Sequence, residues 1–204
     1  LETGFSYNPR RGVNRDLVAA VKWLERASEQ EHVGAQLMLG DMYYRGEGVI
    51  RNAHLAVTWY QRASDNGSVV GQRNLARMYE LGEGVPKDHH QALQLYRRAS
   101  EGGDCYAQFH LASMYTHGRG VARDHTEAAR WTLKAAESGH GAAQYNMGYY
   151  YEFGVGVGQD QAAAASWYLK SARQADSAAQ YKIGIMLLYG QGIERNEEAA
   201  SRWL

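Results

Sequence analysis

Along residues 68–103 the apolar and small side chains fall into two helical stripes separated by a short glycine loop. Gly71, Leu75, Ala76 and Tyr79 stand at i, i+4, i+5 and i+8, one face of an α-helix. Ala92, Leu95 and Ala99 form the matching stripe of a second helix, with polar residues between them. The same two stripes recur at a fixed distance. Ala35, Leu39, Gly40, Tyr43 and then Ala107, Leu111, Ala112, Tyr115 and Ala143, Met147, Gly148, Tyr151 repeat the first. Ala56, Trp59, Ala63 and Ala128, Trp131, Ala135 repeat the second. Glutamines at 36, 72, 108, 144 and 180 fix the period at 36 residues. Paired glycines keep the same beat at 46/48, 82/84, 118/120, 154/156 and 190/192, each pair followed by Val or Ile. Gly12 and Val13 carry the phase back into an incomplete copy. Such a period predicts stacked supersecondary units, none of which can bury its own apolar face alone.

Local signals set the ends of the helices. Ser68, Asp104 and Asp176 are placed to cap the first helix of a unit, and Asp16, Asn52, Asp88, Asp124, Asp160 and Asn196 the second. Asp88 with Gln91, and Asp124 with Glu127, have capping-box spacing. Gly82 falls where a left-handed residue stops the first helix, Gly84 where the chain must bend, and Gly67, Gly103 and Gly139 where the second helix ends. Gly and Ala alternating at 40, 76, 112, 148 and 184 predict close helix approach. The fold class expected is all-α: a right-handed α/α superhelical solenoid of about eleven helices and no strand. It is divided into a partial repeat at 1–31 and repeats at 32–67, 68–103, 104–139, 140–175 and 176–204, forming one continuous domain.

Composition narrows the function. Lys plus Arg equals Asp plus Glu at 22 each, so no net field attracts phosphate, and a nucleic-acid partner is not expected. No apolar run reaches the ~18 residues that a membrane helix needs, so no direct membrane insertion is expected. The chain starts at Leu1 and stops inside a repeat, as expected of a fragment or mature segment. Cys105 is the single cysteine and can form no internal disulfide. The Gly-x-Gly pairs follow helices rather than strands and lack a third glycine, so they read as caps, not phosphate loops. His89-His90, His110, His117, His125 and His140 lack metal-ligand spacing and read as solvated or cap-satisfying. No nucleophile elbow or Cys–His pairing is visible. The expectation is therefore no enzyme, no cofactor and no metal. Trp23, Trp59, Trp131, Trp167 and Trp203 keep repeat phase and read as packing. The basic residues before the second-helix caps, Arg15, Arg51, Lys87, Arg123 and Arg195, read as solvated loop charges, the alternative being a ladder that grips an acidic partner along that edge.

Ala-Gln-Tyr-x-Met-Gly-x-x-Tyr at 143–151, Gly-x-Gly-Val at 154–157 and the stretch from Asp160 through Trp167-Tyr168 resemble the Sel1-like repeat, a branch of the tetratricopeptide-type α/α solenoids. The resemblance covers nearly the whole chain. Ala175 stands where a turn Gly is usual, Leu95 for the Trp and Leu187 for the stripe Tyr. The cysteine pairs of the family's cysteine-rich branch are missing. The resemblance implies a scaffold that binds another protein, with adaptor roles in bacterial envelope signalling, host interaction or membrane-associated quality control. It also implies a location in the bacterial periplasm or envelope, or in a secretory-pathway lumen.

In a tetratricopeptide-like stack the first helix of each unit lines a concave groove. The groove-facing positions are then 70, 73, 77, 80 and 81 and their 36-residue equivalents. In the first two copies these are charged and mixed, with Arg73, Arg77 and Glu80 among them. In the last three they are aromatic. The candidate partner-binding residues are Phe109, His117, Tyr145, Tyr149, Glu152, Phe153, Tyr181, Ile185 and Tyr189, with Arg73 and Arg77 setting orientation. A groove of this composition suits a peptide or domain of another protein. Self-association, making the chain a homo-oligomerisation module of a larger protein, is the alternative.

Overall fold

The structure, a computed structural model, describes residues 16–204. Gly12, Val13 and Arg15 lie outside the described residues, with the rest of the first fifteen positions of the partial first copy. Among the described residues there are eleven α-helices and no strand: α1 Leu17–Glu29, α2 Val33–Arg45, α3 Ala53–Asp65, α4 Val69–Leu81, α5 His89–Glu101, α6 Cys105–His117, α7 His125–Glu137, α8 Gly141–Phe153, α9 Gln161–Ala172, α10 Ser177–Tyr189 and α11 Glu197–Trp203. They fall into two compact units divided between Gly102 and Gly103. The first holds α1–α5 and the second α6–α11. In each, successive helices pack antiparallel through short loops.

The helix ends follow the cap chemistry read from the sequence. Ser68, Asp104 and Asp176 each accept a backbone N–H from three residues on, as do Asn52 and Asn196 at second helices. Asp88 and Asp124 accept two N–H groups each. The capping box is only half used. The backbone N–H of Asp124 donates to the Tyr115 carbonyl at 3.0 Å, and the Glu127 carboxylate is taken by Arg130 at 2.7 and 2.9 Å. That backbone bond recurs from Asn52 to Tyr43, Asp88 to Tyr79, Asp160 to Tyr151 and Asn196 to Leu187. The cap of each second helix is thus tied to the last turn of the first.

The two loop glycines do different work. Gly82 has φ +75° and returns its N–H to the Met78 carbonyl, stopping α4 in the left-handed conformation that a Cβ would strain. Gly84 also has φ +70°, but a Cβ there would land on the carbonyl of Ala53, at the start of α3. Gly156 sits against His125 and Gly192 against Gln161 in the same way. The second glycine is therefore an inter-repeat contact as well as a bend.

The repeat glutamines bind helix ends. Gln144 Nε2 donates to the Ala136 carbonyl at 3.1 Å, in the last turn of α7, and Gln144 Oε1 accepts from Gln174 at 2.9 Å. Gln180 reaches Ala172 at 3.3 Å, and Gln36 accepts from Asn66 at 3.2 Å. A helix C-terminus leaves carbonyls without intrahelical partners, and one amide can satisfy such a carbonyl while accepting from a second helix end.

Burial confirms most of the first stripe and extends it, with Tyr43, Tyr79 and Tyr151 half-buried. Leu39, Leu75, Leu111, Met147 and Ile183 are buried at one phase; Met42, Met78, Met114, Tyr150 and Met186 are also buried, at a phase the stripe omitted. On the second helices the tryptophans take a smaller share of the core than expected. Trp131 is buried, but Trp59 and Trp167 are half-buried and Trp23 is exposed. The core position is the next residue: Tyr60, Tyr96 and Tyr168 are buried. Gly40 and Gly148 face the rings of Tyr60 and Tyr168, where a Cβ would collide.

Candidate functional site

Every buried tyrosine of the second helices ends on a carboxylate from the first helix of its own repeat. Tyr60 donates to Asp41 at 2.6 Å, Tyr96 to Glu80 at 2.8 Å and Tyr168 to Glu152 at 2.5 Å. Burial, foremost, and the carboxylate beside each phenol push all three hydroxyls far above the usual tyrosine range. They remain donors at any physiological pH. Where the tyrosine is missing the acid is missing too: the third copy has Thr132 and Thr116, the fifth Leu204 and Leu188.

This contact decides where Glu152 points. Its carboxylate holds the Tyr168 hydroxyl and the Lys182 ammonium, at 2.9 and 3.0 Å, and its carbonyl accepts from Gln159 and Gln161. Glu152 and its equivalent Glu80 are therefore packing residues between the two helices of a repeat. Lys182, on α10, is the residue the sequence analysis passed over. It bridges to α8 through Glu152 and lies 5.4 Å from the Phe153 ring centre. An i+1 neighbour of a candidate aromatic, with a lone acid 30 residues upstream, offered no local spacing by which to find it.

The aromatic positions stand out on the second unit. Tyr149, Phe153, Tyr181 and Tyr189 are 43 %, 54 %, 60 % and 67 % exposed, on helices that bury Met147 and Ile183 on another side. Tyr149 and Phe153 touch, with ring centres 4.7 Å apart. Tyr145 is half-buried and leans on Tyr168 at 5.4 Å. Phe109 is half-buried on α6 and stacks on His140 at 4.6 Å, and the exposed Tyr106 meets the same imidazole edge-on. His117 is exposed and folds back on Ser113. Ile185 is half-buried between Tyr181 and Tyr189 on α10. In the first unit Arg77 is exposed and stands 5.9 Å from the Tyr44 ring, while Arg73 is half-buried on the same helix. Glu83, in the loop after α4, accepts the Tyr44 hydroxyl, and its Oε2 is buried.

Among the described residues no group of three or more His, Cys, Asp or Glu side chains is placed to hold a metal ion. None of the described helices is long and apolar enough to cross a membrane.

The Sel1 repeat family model matches residues 2–32, 33–68, 69–104, 105–140, 141–176 and 177–204. The chain belongs to the Sel1 repeat family, whose members are α/α-solenoid proteins serving generally as non-catalytic scaffolds for other proteins. Among solved structures it is similar to a protective antigen of uropathogenic Escherichia coli that displays the Sel1-like repeat fold, with 34 % identity and a TM-score of 0.93 over 98 % of this chain. The chain spans 43 % of that antigen's length. A Sel1 repeat protein from Oxalobacter formigenes is 33 % identical with a TM-score of 0.82, covering 90 % of this chain and 75 % of that one. A Klebsiella pneumoniae relative is 25 % identical, with a TM-score of 0.55 and coverage of 90 % and 89 %. No curated protein sequence matches the chain.

Proposed function

We propose that this chain is a non-catalytic adaptor that holds a segment of another protein against the aromatic face of α8 and α10. The observation that carries it is the exposure of Tyr149, Phe153, Tyr181 and Tyr189 on helices that bury Ala143, Met147 and Tyr150, and Ala179, Ile183 and Met186, on their core side. Rings of this size left in water gain when a partner desolvates them, and tyrosine does so at low entropic cost. The Lys182–Glu152 pair beneath Phe153 holds this face in place, so binding needs little reordering. Phe109, Tyr145 and Ile185 flank it, while His117, Arg73 and Arg77 contribute charge and polarity to orientation and encounter rate more than to affinity.

The test is a crosslinking pull-down from the native cell with the wild-type chain and with Tyr149→Ala combined with Phe153→Ala. Loss of the captured protein, with helix content and melting temperature nearly unchanged, supports the reading, because truncated central aromatics often cost ~2 kcal/mol or more. Capture that survives this change but fails after Arg51 and Arg123 are reversed in charge moves the site to the loop edge. Light scattering at twice the 22.8 kDa chain mass, abolished by the same double change, would make the occupant a second copy of the chain.

A further inference from the structure

The first turn of α8 is capped by an imidazole rather than an acid. His140 Nδ1 accepts the Ala143 N–H at 3.2 Å, and the His140 carbonyl accepts from Gln144. The same ring stacks on Phe109 at 4.6 Å and 20° and meets Tyr106 edge-on at 5.0 Å. Phe109 and Tyr106 both belong to α6, so one side chain fixes the start of α8 and fastens it to the neighbouring first helix. His32 caps α2 through its ring in the same way, whereas Ser68, Asp104 and Asp176 present oxygen acceptors at the equivalent position in the other copies. A neutral imidazole offers a lone pair on Nδ1 only as the Nε2–H tautomer; the imidazolium carries N–H on both nitrogens. Protonation therefore turns an acceptor facing the Ala143 N–H into a second donor.

We infer that His140 is a proton-operated joint whose protonation uncaps α8 and loosens its hold on α6. The helix pair beside it is the one copy enclosed by complete repeats that lacks the tyrosine–carboxylate contact, with Thr116 and Thr132 at those positions, so these ring contacts carry more of the load there. The ionisable groups around the ring come from α6 and its cap: Asp104, Tyr106 and His110. Burial, foremost, and the charge of His110 hold the His140 pKa below the usual histidine value, while Asp104 partly opposes them. A pKa lower in the folded than in the unfolded chain means that the unfolded chain binds more protons. The contribution is then complete above about pH 6.5 and is lost as pH falls through the folded value. The joint stands whether or not α8 carries the partner site. Acid-weakened capture is the added consequence that rests on that reading.

The test uses the chain alone, comparing wild type with His140→Asp, which keeps an acceptor that does not titrate in this range. His140→Asn serves as a second variant should the first fold poorly. Histidine ring resonances and amide-exchange protection are followed from about pH 7.5 to about pH 5. In wild type, Ala143 protection should fall about fivefold or more, in step with a His140 midpoint below about 6.5. In the variant it should change less than about twofold. An equal fall in both proteins, no fall in wild type, or a His140 midpoint at or above the usual value would overturn the inference.

Discussion

At residue scale the turn that ends each second helix shows how one backbone angle is filled by unlike side chains. Gly67, Gly103 and Gly139 have φ of +81°, +88° and +89°, and Ala175 holds the same left-handed place at +64°, as Glu31 does at +58°. Nothing lies within 4 Å of where a Cβ would stand at Gly67, Gly103 or Gly139, so the glycine preference there is about backbone angle rather than space. A left-handed Ala costs roughly 1 kcal/mol, part of which is offset because Ala also restricts the unfolded chain. Ala175→Gly is therefore expected to stabilise the chain by roughly 0.5 kcal/mol, read as a higher urea midpoint at unchanged slope. An unchanged or lower midpoint would mean that the strain at Ala175 is relieved in some other way.

At the scale of the helix pair, the loop between the two helices separates angle from contact. Gly82 and Gly84 share a positive φ, yet a Cβ at Gly82 would stand 3.0 Å from the Lys87 Cβ, whereas at Gly84 it would strike backbone of α3. Gly84→Ala should cost well over the ~1 kcal/mol of angular strain expected for Gly82→Ala, because the loop must lift off the preceding repeat. Equal melting temperatures for the two variants would refute this division. The sequence carried the loop's position and its first glycine plainly, since period and helix stop are both local signals. It did not carry the second glycine's contact, which joins residues 31 apart. For the same reason the tyrosine–carboxylate contacts were not legible: the acid sits at 41 in one copy and at the 80 phase in two others, 16 to 19 residues from its tyrosine. The exposed rings of α8 and α10 could be named in advance because they follow from the buried stripe by geometry alone. The role of Lys182 could not, because it depends on which neighbour the Glu152 carboxylate already serves.

At the scale of the whole molecule, copies that look interchangeable compensate for one another across repeat boundaries. Position 150 departs from its phase: Met42, Met78, Met114 and Met186 are the equivalents, and Tyr150 is the single aromatic among them. It is buried, and its hydroxyl comes within 3.5 Å of Thr116 Oγ1, the position where other copies carry the acid that holds a tyrosine. The preceding repeat has Thr132 where a tyrosine would project, so the ring missing from one copy is answered by an extra ring in the next. Sequence averaging would label Tyr150→Met a return to pattern and expect a gain. The packing argues the opposite sign. Met at 150 leaves Thr116 without the phenol and removes aromatic volume from a core shared with Met147 and Ala143, at a cost of about 1–2 kcal/mol. The same change combined with Thr116→Glu and Thr132→Tyr should recover most of that loss, because Ala76, Glu80 and Tyr96 already show that an Ala at the 112 phase accommodates the pair. Urea unfolding of the single and triple variants decides the matter. A single variant as stable as wild type, or a triple variant no better than the single, would show that the repeats are energetically independent at this position.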